Sequence, residues 1–402
     1  MKKRILFVDD EPNILQGLKR MLRNQRHEWE MNFAEGGEQA LEILEHEQFD
    51  AIVSDMKMPG MDGAQLLDEV KKRHPEMVRF ILSGYSDQEL VMRSVGPSHQ
   101  YMAKPCEPEL LKANLTNTFA LHELLASEAL RGLVTGMSSL PSLPNIYCAV
   151  VEELQSPNVS IKAVGDLVEQ DPGMSIKILQ LVNSSYFGIS RQITNPGEAA
   201  NFLGMDVIKS LVLSEGVFSQ FDSAAIKALS LDTMKSRCLQ VAQAARAIAK
   251  AEGADEKITD QAFLAGLLHD MGSMVLASNA PEDFLRACDI AKNENIDMNY
   301  AEKQVFGTTH AEVGAYLLGL WGIDDDVVSA VAYHHNPSAF PTAQFSALTA
   351  VFVASTCVTA TPSLHQQPLF TEENLAYLER LGLADKLSEW QILCKPLQED
   401  AA

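Results

Sequence analysis

Five polar side chains, each within two residues of the end of a short apolar run, have types that could support phosphoryl chemistry. They are the carboxylates of Asp9, Asp10 and Asp55, the hydroxyl of Ser83 and the ammonium of Lys104. Clustered carboxylates raise one another's pKa unless a cation neutralises them. Mg²⁺ prefers oxygen ligands and commonly binds through one or two carboxylates together with phosphate. A free aspartate oxygen could then attack a phosphoryl group, while the ammonium and the hydroxyl hold the transferred oxygens.

An alternation of strands and helices would bring these side chains to one edge of a sheet. Apolar runs predict strands at residues 5–8, 29–33, 51–54, 78–82 and 100–103, and helical patterns follow at 12 to about 23, 37–46, 64–73, from 87 and from 107. This alternation favours a doubly wound, five-stranded parallel sheet covered on both faces. With strand order 2-1-3-4-5, the ligand crevice lies at the carboxyl ends of strands 1 and 3, directly before Asp9 and at Asp55.

These residues resemble the receiver domain of two-component response regulators. The matching motifs are Asp9-Asp10, Asp55-x-x-x-Pro59, Ser83-Gly84 and Lys104-Pro105, and the resemblance covers roughly residues 3–122. The resemblance implies a flavodoxin-like fold in which Asp55 accepts a phosphoryl group from a histidine kinase. It also implies Mg²⁺ as the cofactor, bound by Asp10, Asp55 and the backbone carbonyl of Lys57, with Asp9 holding the metal through water.

The same resemblance assigns roles to three further residues. Lys104 would contact the phosphoryl group, and its peptide bond to Pro105 would be cis, which is rare even before proline. Ser83 and Tyr101 would form the switch pair, in which the hydroxyl moves toward the phosphoryl group and the aromatic ring follows inward. The implied catalytic set is therefore Asp55, Lys104 and Ser83.

From about residue 130 the apolar spacing becomes helical, and convincing strands are almost absent. Helices are predicted at residues 146–155, 161–170, 173–184 and 196–203. The motifs at residues 140–144, 171–172, 181–188, 199–204, 266–272 and 310–314 resemble the HDOD domain, an all-helical signalling module. The resemblance implies an all-α second domain that passes the state of the receiver to a partner.

HDOD domains resemble the HD-type metal phosphohydrolases, so the metal ligands of that class must be sought. Such a site takes a histidine on an earlier helix, an adjacent His-Asp pair and a later aspartate. The pair is present as His269-Asp270, whereas Arg237 and Ser355 stand near the positions of the other two ligands. Arg237 would bring a permanent positive charge. We therefore expect a degenerate, non-catalytic site.

Three further histidines, His310, His334 and His335, resemble those of the dimetal cyclic di-GMP phosphodiesterases of the HD-GYP type. The residues that follow, 336–341, lack the Gly-Tyr-Pro loop of that family. We expect these histidines to hydrogen-bond within the core. A phosphohydrolase, a cyclic dinucleotide phosphodiesterase and a module that binds a nucleotide without cleaving it are the alternatives.

Four segments follow from these patterns. We predict a receiver domain at residues 1–122, a helical linker at 123–138, an HDOD domain at 139–345 and a helical C-terminal extension packed on it at 346–402. The apolar pattern over residues 107–132 fits either one long helix or two helices with a break between them. A single helix of that length would be about twice the usual one.

The charge of the chain argues against nucleic acid as a partner. Lys and Arg number 32 against 54 Asp and Glu, a formal net charge of −22, whereas a nucleic-acid binder needs a basic face. Six scattered cysteines fit a reducing cytosol, and the most apolar window is too short for a bilayer. We therefore expect a cytoplasmic protein with two partners, a histidine kinase and a downstream signalling protein that the HDOD domain contacts. No membrane contact is expected, and homodimer formation is left open.

Overall fold

The structure, a computed structural model, describes residues 2–83, 97–104, 108–121, 125, 128–137, 144–156, 159–183, 191–205, 207–208, 212, 231–341, 344–358 and 370–394. Packing divides the chain into two units. The first comprises Met1–Gln220 with Leu317–Ile323, and the second comprises Phe221–Tyr316 with Asp324–Ala402.

A parallel sheet of five strands opens the first unit, in the order β2-β1-β3-β4-β5. The strands are β1 (Lys3–Val8), β2 (Trp29–Ala34), β3 (Ala51–Asp55), β4 (Val78–Ser83) and β5 (Gln100–Ala103). Almost every residue of β1, β3 and β4 is buried, as expected of strands covered on both faces. The predicted receiver-like fold and its strand order are confirmed.

Helices on either side of the sheet begin where local signals predict them. They are α1 (Pro12–Met21), α2 (Gly37–His46), α3 (Gly63–Arg73) and α4 (Pro108–Leu121). Pro12 occupies the first turn of α1. Asp62 caps α3: its side chain accepts from the backbone N–H of Gln65, and the Gln65 side chain accepts from the backbone N–H of Asp62. The helix predicted from residue 87 lies outside the described residues.

The connection after the sheet contains two helices rather than one. α4 ends at Leu121, Leu125 is not helical, and α5 runs over Glu128–Thr135. Of the two arrangements that the sequence allowed, the broken one is therefore observed. The first unit then continues with α6 (Pro144–Gln155), α7 (Ile161–Val168), α8 (Pro172–Val182) and α9 (Pro196–Leu203).

The described part of the second unit is helical throughout. Its helices are α10 (Leu231–Ala251), α11 (Glu256–Leu268), α12 (Met271–Asn279), α13 (Pro281–Glu294), α14 (Met298–Phe306), α15 (His310–Leu320, of which residues from Leu317 belong to the first unit), α16 (Asp325–Tyr333), α17 (Ala347–Cys357), α18 (Glu372–Arg380) and α19 (Leu387–Leu393). α10 packs closely on α11 at Gly266, which has no side chain. A Cβ added there would lie only 2.7 Å from the Cα of Ala242. The all-α class predicted for the second half of the chain is confirmed.

Candidate functional site

The carboxyl ends of β1, β3 and β5 bring together most of the polar residues singled out in the sequence. The Nζ of Lys104 lies 2.6 Å from Asp9 Oδ2 and 2.7 Å from Asp55 Oδ1. Asp10 joins this group, since one carboxylate oxygen from each of the three aspartates lies within 4.8 Å of the others. Three carboxylates and one ammonium therefore share one edge of the sheet.

The backbone around Asp55 fixes where its carboxylate points. Asp55 pairs with Leu82 in register, and the N–H of Met56 donates to the Leu82 carbonyl at 2.9 Å. The loop after β3 then returns close to the strand at Gly63, where a Cβ would lie only 2.1 Å from the Asp55 carbonyl oxygen. A residue with a side chain at position 63 would push against the backbone of Asp55.

Burial makes the charges at this edge strongly interdependent. Asp9 is 1% exposed and Asp55 is 7% exposed. Burial raises the pKa of Asp55, and Lys104 opposes that shift. Burial lowers the pKa of Lys104, but its contacts with Asp55 and Asp9 outweigh burial and raise it. One ammonium among three carboxylates leaves an excess of negative charge, and oxygen donors of this kind fit Mg²⁺.

The remaining residues of the receiver-like set lie around this group. Ser83 ends β4, is buried and pairs in register with Ala103. Tyr101 lies in β5, pairs with Ile81 and is also buried. The side chain of Lys57 is exposed two residues after Asp55. Gly84 and Pro105, and with them the predicted cis peptide, lie outside the described residues.

In the second unit, Arg237 reaches the aspartate of the His-Asp pair. Its Nη1 lies 2.9 Å from Asp270 Oδ2, and its Nη2 lies 3.5 Å from the backbone carbonyl of Ser355. His269 Nε2 approaches the same Asp270 oxygen at 3.1 Å. The two positions that the sequence comparison left without metal ligands, 237 and 355, are therefore together beside Asp270.

The later histidines approach Asp270 from its other side. His310 Nε2 lies 3.4 Å from Asp270 Oδ1 and 3.1 Å from His335 Nε2. His310 Nδ1 lies 2.8 Å from Glu302 Oε2, and the His334 and His335 rings lie 4.0 Å apart. All five residues of the predicted degenerate site are brought together. Glu302, which is fully buried, was not foreseen, because a glutamate eight residues before a histidine carries no spacing signal.

Two protein-family models match the chain. Residues 5–116 match the response regulator receiver domain, and residues 140–337 match the HDOD domain. The chain therefore contains a response regulator receiver domain followed by an HDOD domain. The receiver match contains Asp9, Asp55 and Lys104, and the HDOD match contains Asp270 and His310.

Individual relatives cover parts of the chain. It is 26% identical to an uncharacterized protein of Treponema pallidum over 50% of this chain and 38% of that protein. It is 33% identical to a cyclic di-GMP phosphodiesterase of Thermotoga maritima over 21% of this chain and 23% of that one. The chain thus spans well under two thirds of either relative. The MmoQ response regulator of Methylococcus capsulatus is 24% identical with a TM-score of 0.48, covering 63% of this chain and 98% of that one.

Opposite charges face one another around Asp270 and His310. Burial works to raise the pKa of Asp270, but His269 and Arg237 outweigh it and hold it well below its usual value. Burial works to lower the pKa of His310, but Glu302 and Asp270 outweigh it and raise the pKa to about 10. Two cations, Arg237 and His310, therefore face two carboxylates.

Within the residues that the structure describes, no helix is long and apolar enough to cross a bilayer.

Proposed function

We propose that the chain is a two-component response regulator that is switched by transfer of a phosphoryl group from a histidine kinase to Asp55. The observation that carries the proposal is the pairing of Lys104 with both Asp9 and Asp55 at the carboxyl edge of the sheet. A carboxylate oxygen of Asp55 attacks the phosphorus of a phosphohistidine and the P–N bond breaks. The bonding pair stays on that nitrogen, and the histidine leaves as a neutral imidazole because its other ring nitrogen already carries a proton. Lys104 then turns to the phosphoryl oxygens, where positive charge stabilises the product.

Mg²⁺ is the cofactor that this set of donors suits. Asp9, Asp10, Asp55 and the Lys57 carbonyl would hold it, and when bound it supplies positive charge against the incoming phosphoryl oxygens. Ser83 then donates to the phosphoryl group from the end of β4. When Ser83 moves toward the phosphoryl group, the ring of Tyr101 on the adjacent strand moves inward after it. This movement stabilises one of two packings of β4 and β5.

The HDOD domain relays this change by protein contact in the cytoplasm rather than by catalysis. Arg237 places a guanidinium on Asp270 and beside Ser355, where a metal enzyme needs ligands. The paired charges of Arg237, Asp270, His310 and Glu302 also leave no excess charge for a metal to balance. A downstream signalling protein is therefore the expected partner of this domain.

The experiment is phosphorylation by acetyl phosphate in the presence of Mg²⁺, followed by intact-mass analysis. Wild-type protein should gain one acid-labile phosphoryl group, and Asp55→Ala should gain none. Asp68→Ala, which removes an exposed aspartate of α3, should be labelled like the wild type. Equal labelling of Asp55→Ala would rule out Asp55 as the acceptor.

A second candidate function is metal-dependent hydrolysis of a phosphoester by the HDOD domain. The observation in its favour is that His310 Nε2 lies 3.1 Å from His335 Nε2 and 3.4 Å from Asp270 Oδ1. Ligands of a tetrahedral ion with bonds of about 2.1 Å lie about 3.4 Å apart. Glu302 also orients His310 as a carboxylate orients a metal-bound histidine.

Metal analysis of the purified full chain decides between the two candidates. Near-stoichiometric transition metal that is lost in His335→Ala and retained in His27→Ala, an exposed histidine of the receiver, would favour the hydrolase. Metal contents that are low and equal in all three proteins would favour the non-catalytic relay.

A further inference from the structure

A cluster of polar groups, all buried except the half-buried Gln100, lies at the amino ends of β4 and β5, at the opposite end of the sheet from Asp55. We call it the polar cluster, and its members are Arg79, His99, Gln100, Thr135, Lys177 and Gln180. Arg79 is fully buried in β4. Its guanidinium donates to the carbonyls of Pro97 at 2.6 Å, Met77 at 2.9 Å and Thr135 at 3.0 Å. A charged residue inside an apolar strand is therefore fully engaged by backbone carbonyls.

His99 connects β5 to α5 through a neutral ring. Its Nδ1 accepts from the backbone N–H of Arg79 at 3.0 Å, so the proton of the neutral ring is on Nε2, which donates to the Thr135 carbonyl at 2.7 Å. Burial and the nearby Arg79 hold the pKa of His99 well below its usual value. The ring thus has one donor and one acceptor, and both are used.

The HDOD part of the first unit contacts the same stretch of β5. Gln180 of α8 donates from Nε2 to the His99 carbonyl at 2.6 Å and accepts from Lys177 Nζ at 3.2 Å. Gln100 donates to the carbonyls of Gly319 and Leu320 at the end of α15, at 3.3 and 3.1 Å. These two points of contact come from different helices of the HDOD match and meet at His99, directly before β5, and at Gln100, its first residue.

We infer that β5 is the link through which the state of Asp55 reaches the HDOD domain, with His99 and Gln100 at its output end. The inference rests on the proposed function. Lys104, directly after β5, contacts Asp55, and His99 lies five residues earlier, about 17 Å along an extended strand. One short strand therefore contacts the acceptor site at one end and α8 and α15 at the other.

The polar cluster couples movement of β5 to the contacts of α8. When Lys104 turns from the carboxylates to a phosphoryl group, β5 shifts, and the backbone carbonyl of His99 shifts with it. Gln180 is buried, and a buried amide group that loses its hydrogen-bond acceptor destabilises the fold. α8 must therefore move with β5 or lose the hydrogen bond from Gln180 to the His99 carbonyl. A shift of β5 that weakens the bond from Gln180 to the His99 carbonyl removes a contact that holds α8, and we therefore expect α8 to open more readily.

Hydrogen exchange measured on the full chain, with and without acetyl phosphate and Mg²⁺, tests this inference. Intact mass on the same samples reports the labelling of Asp55. In labelled wild type, amides of α8 should exchange about threefold faster or more. Gln180→Leu and Gln100→Leu should be labelled normally but lose this increase. Gln170→Leu, which removes an exposed glutamine at the end of α7, should keep it.

Each outcome has a distinct meaning. Labelled wild type with unchanged exchange in α8 would overturn the inference and leave the proposed function intact. Wild type that takes no phosphoryl group would overturn both. Retention of the full increase in exchange by both Gln180→Leu and Gln100→Leu would overturn the role of the polar cluster. Two variants are used because one of them could fail to fold, and thermal unfolding would reveal such a failure.

Discussion

Lys104 has a double role that follows from its position between Asp9 and Asp55. Its ammonium lies within 2.7 Å of an oxygen of each carboxylate. It therefore offsets the repulsion between two buried anions, and the same charge is available to an incoming phosphoryl group. Lys104 therefore links the stability of the site to the binding of an anion there, because a new anion competes with Asp9 and Asp55 for the Lys104 ammonium.

Gly63 allows a close approach that sets the position of the acceptor. A Cβ at this residue would lie 2.1 Å from the Asp55 carbonyl oxygen. Gly63→Ala should therefore displace Asp55 and slow labelling by acetyl phosphate about tenfold or more. Gly17→Ala is the matched control, because nothing lies within 4 Å of its Cβ position in α1. It should stabilise the helix by about 0.5–1 kcal/mol and leave the labelling rate unchanged. Normal labelling of Gly63→Ala would show that this contact does not position Asp55.

Arg237 should contribute to stability as the partner of a buried anion. Arg237→Met leaves Asp270, whose side chain is 8% exposed, without its guanidinium, and we expect the free energy of unfolding to fall by about 3 kcal/mol. Lys257→Met, which breaks an exposed pair with Asp326, should cost less than about 1 kcal/mol. Urea unfolding followed by circular dichroism measures both. Equal losses would mean that Arg237 is not the counter-ion of Asp270.

At the scale of elements, apolar patterning predicted most of the fold. The boundaries of α2, α9 and β5 agree with the sequence to the residue, because each is bounded by a Gly, a Pro or a polar residue that local chemistry makes decisive. β1, β3 and β4 are each one or two residues longer than predicted. Polar or charged ends such as Lys3, Asp55 and Ser83 continue the hydrogen-bond ladder after the apolar run has ended.

The sites were predictable where side chains follow strands and less so where helices meet. Asp9, Asp55 and Lys104 come together because parallel strands end at one edge. Glu302 and Gln180 were missed, since their partners depend on how helices pack, which one sequence does not encode at fixed spacing. Arg79 did carry a signal, because a charged residue inside the buried run of β4 requires partners.

Lys177 makes the stability of the first unit depend on pH. Burial lowers its pKa to about 7, with Lys71 of α3 adding to the shift. Between pH 7 and 10.5 the unfolded chain therefore binds one more proton than the folded chain, so stability rises with pH in that window and is lowest below it. Lys177→Met should raise the free energy of unfolding most at pH 6.5, and the gain should shrink by about 1 kcal/mol per pH unit above 7.

Urea unfolding at several pH values measures that gain. Lys162→Met, an exposed lysine of α7, should show no such trend. A gain for Lys177→Met that stays constant from pH 6.5 to 9 would mean that the amine remains charged in the folded protein, held by Gln180 and the ring of Trp321.

For the whole molecule, the charge balance bears on the kind of output. A net charge of −22 repels the phosphate backbone at long range. The phosphorylation of Asp55 that we propose would add further negative charge, which opposes the basic face that DNA binding requires. Output by protein contact is consistent with both states of the switch, whereas output by DNA contact is opposed in both.

We therefore expect the full chain not to bind duplex DNA, whether or not it has been treated with acetyl phosphate and Mg²⁺. Fluorescence anisotropy of a labelled random-sequence duplex at about 50 mM salt favours detection, because non-specific binding is strongest at low salt. The signal should stay flat up to tens of micromolar protein, a range in which non-specific DNA binders are already detected. Saturable binding that weakens steeply with added salt would mean that a local basic surface overcomes the net charge, and it would contradict output by protein contact alone.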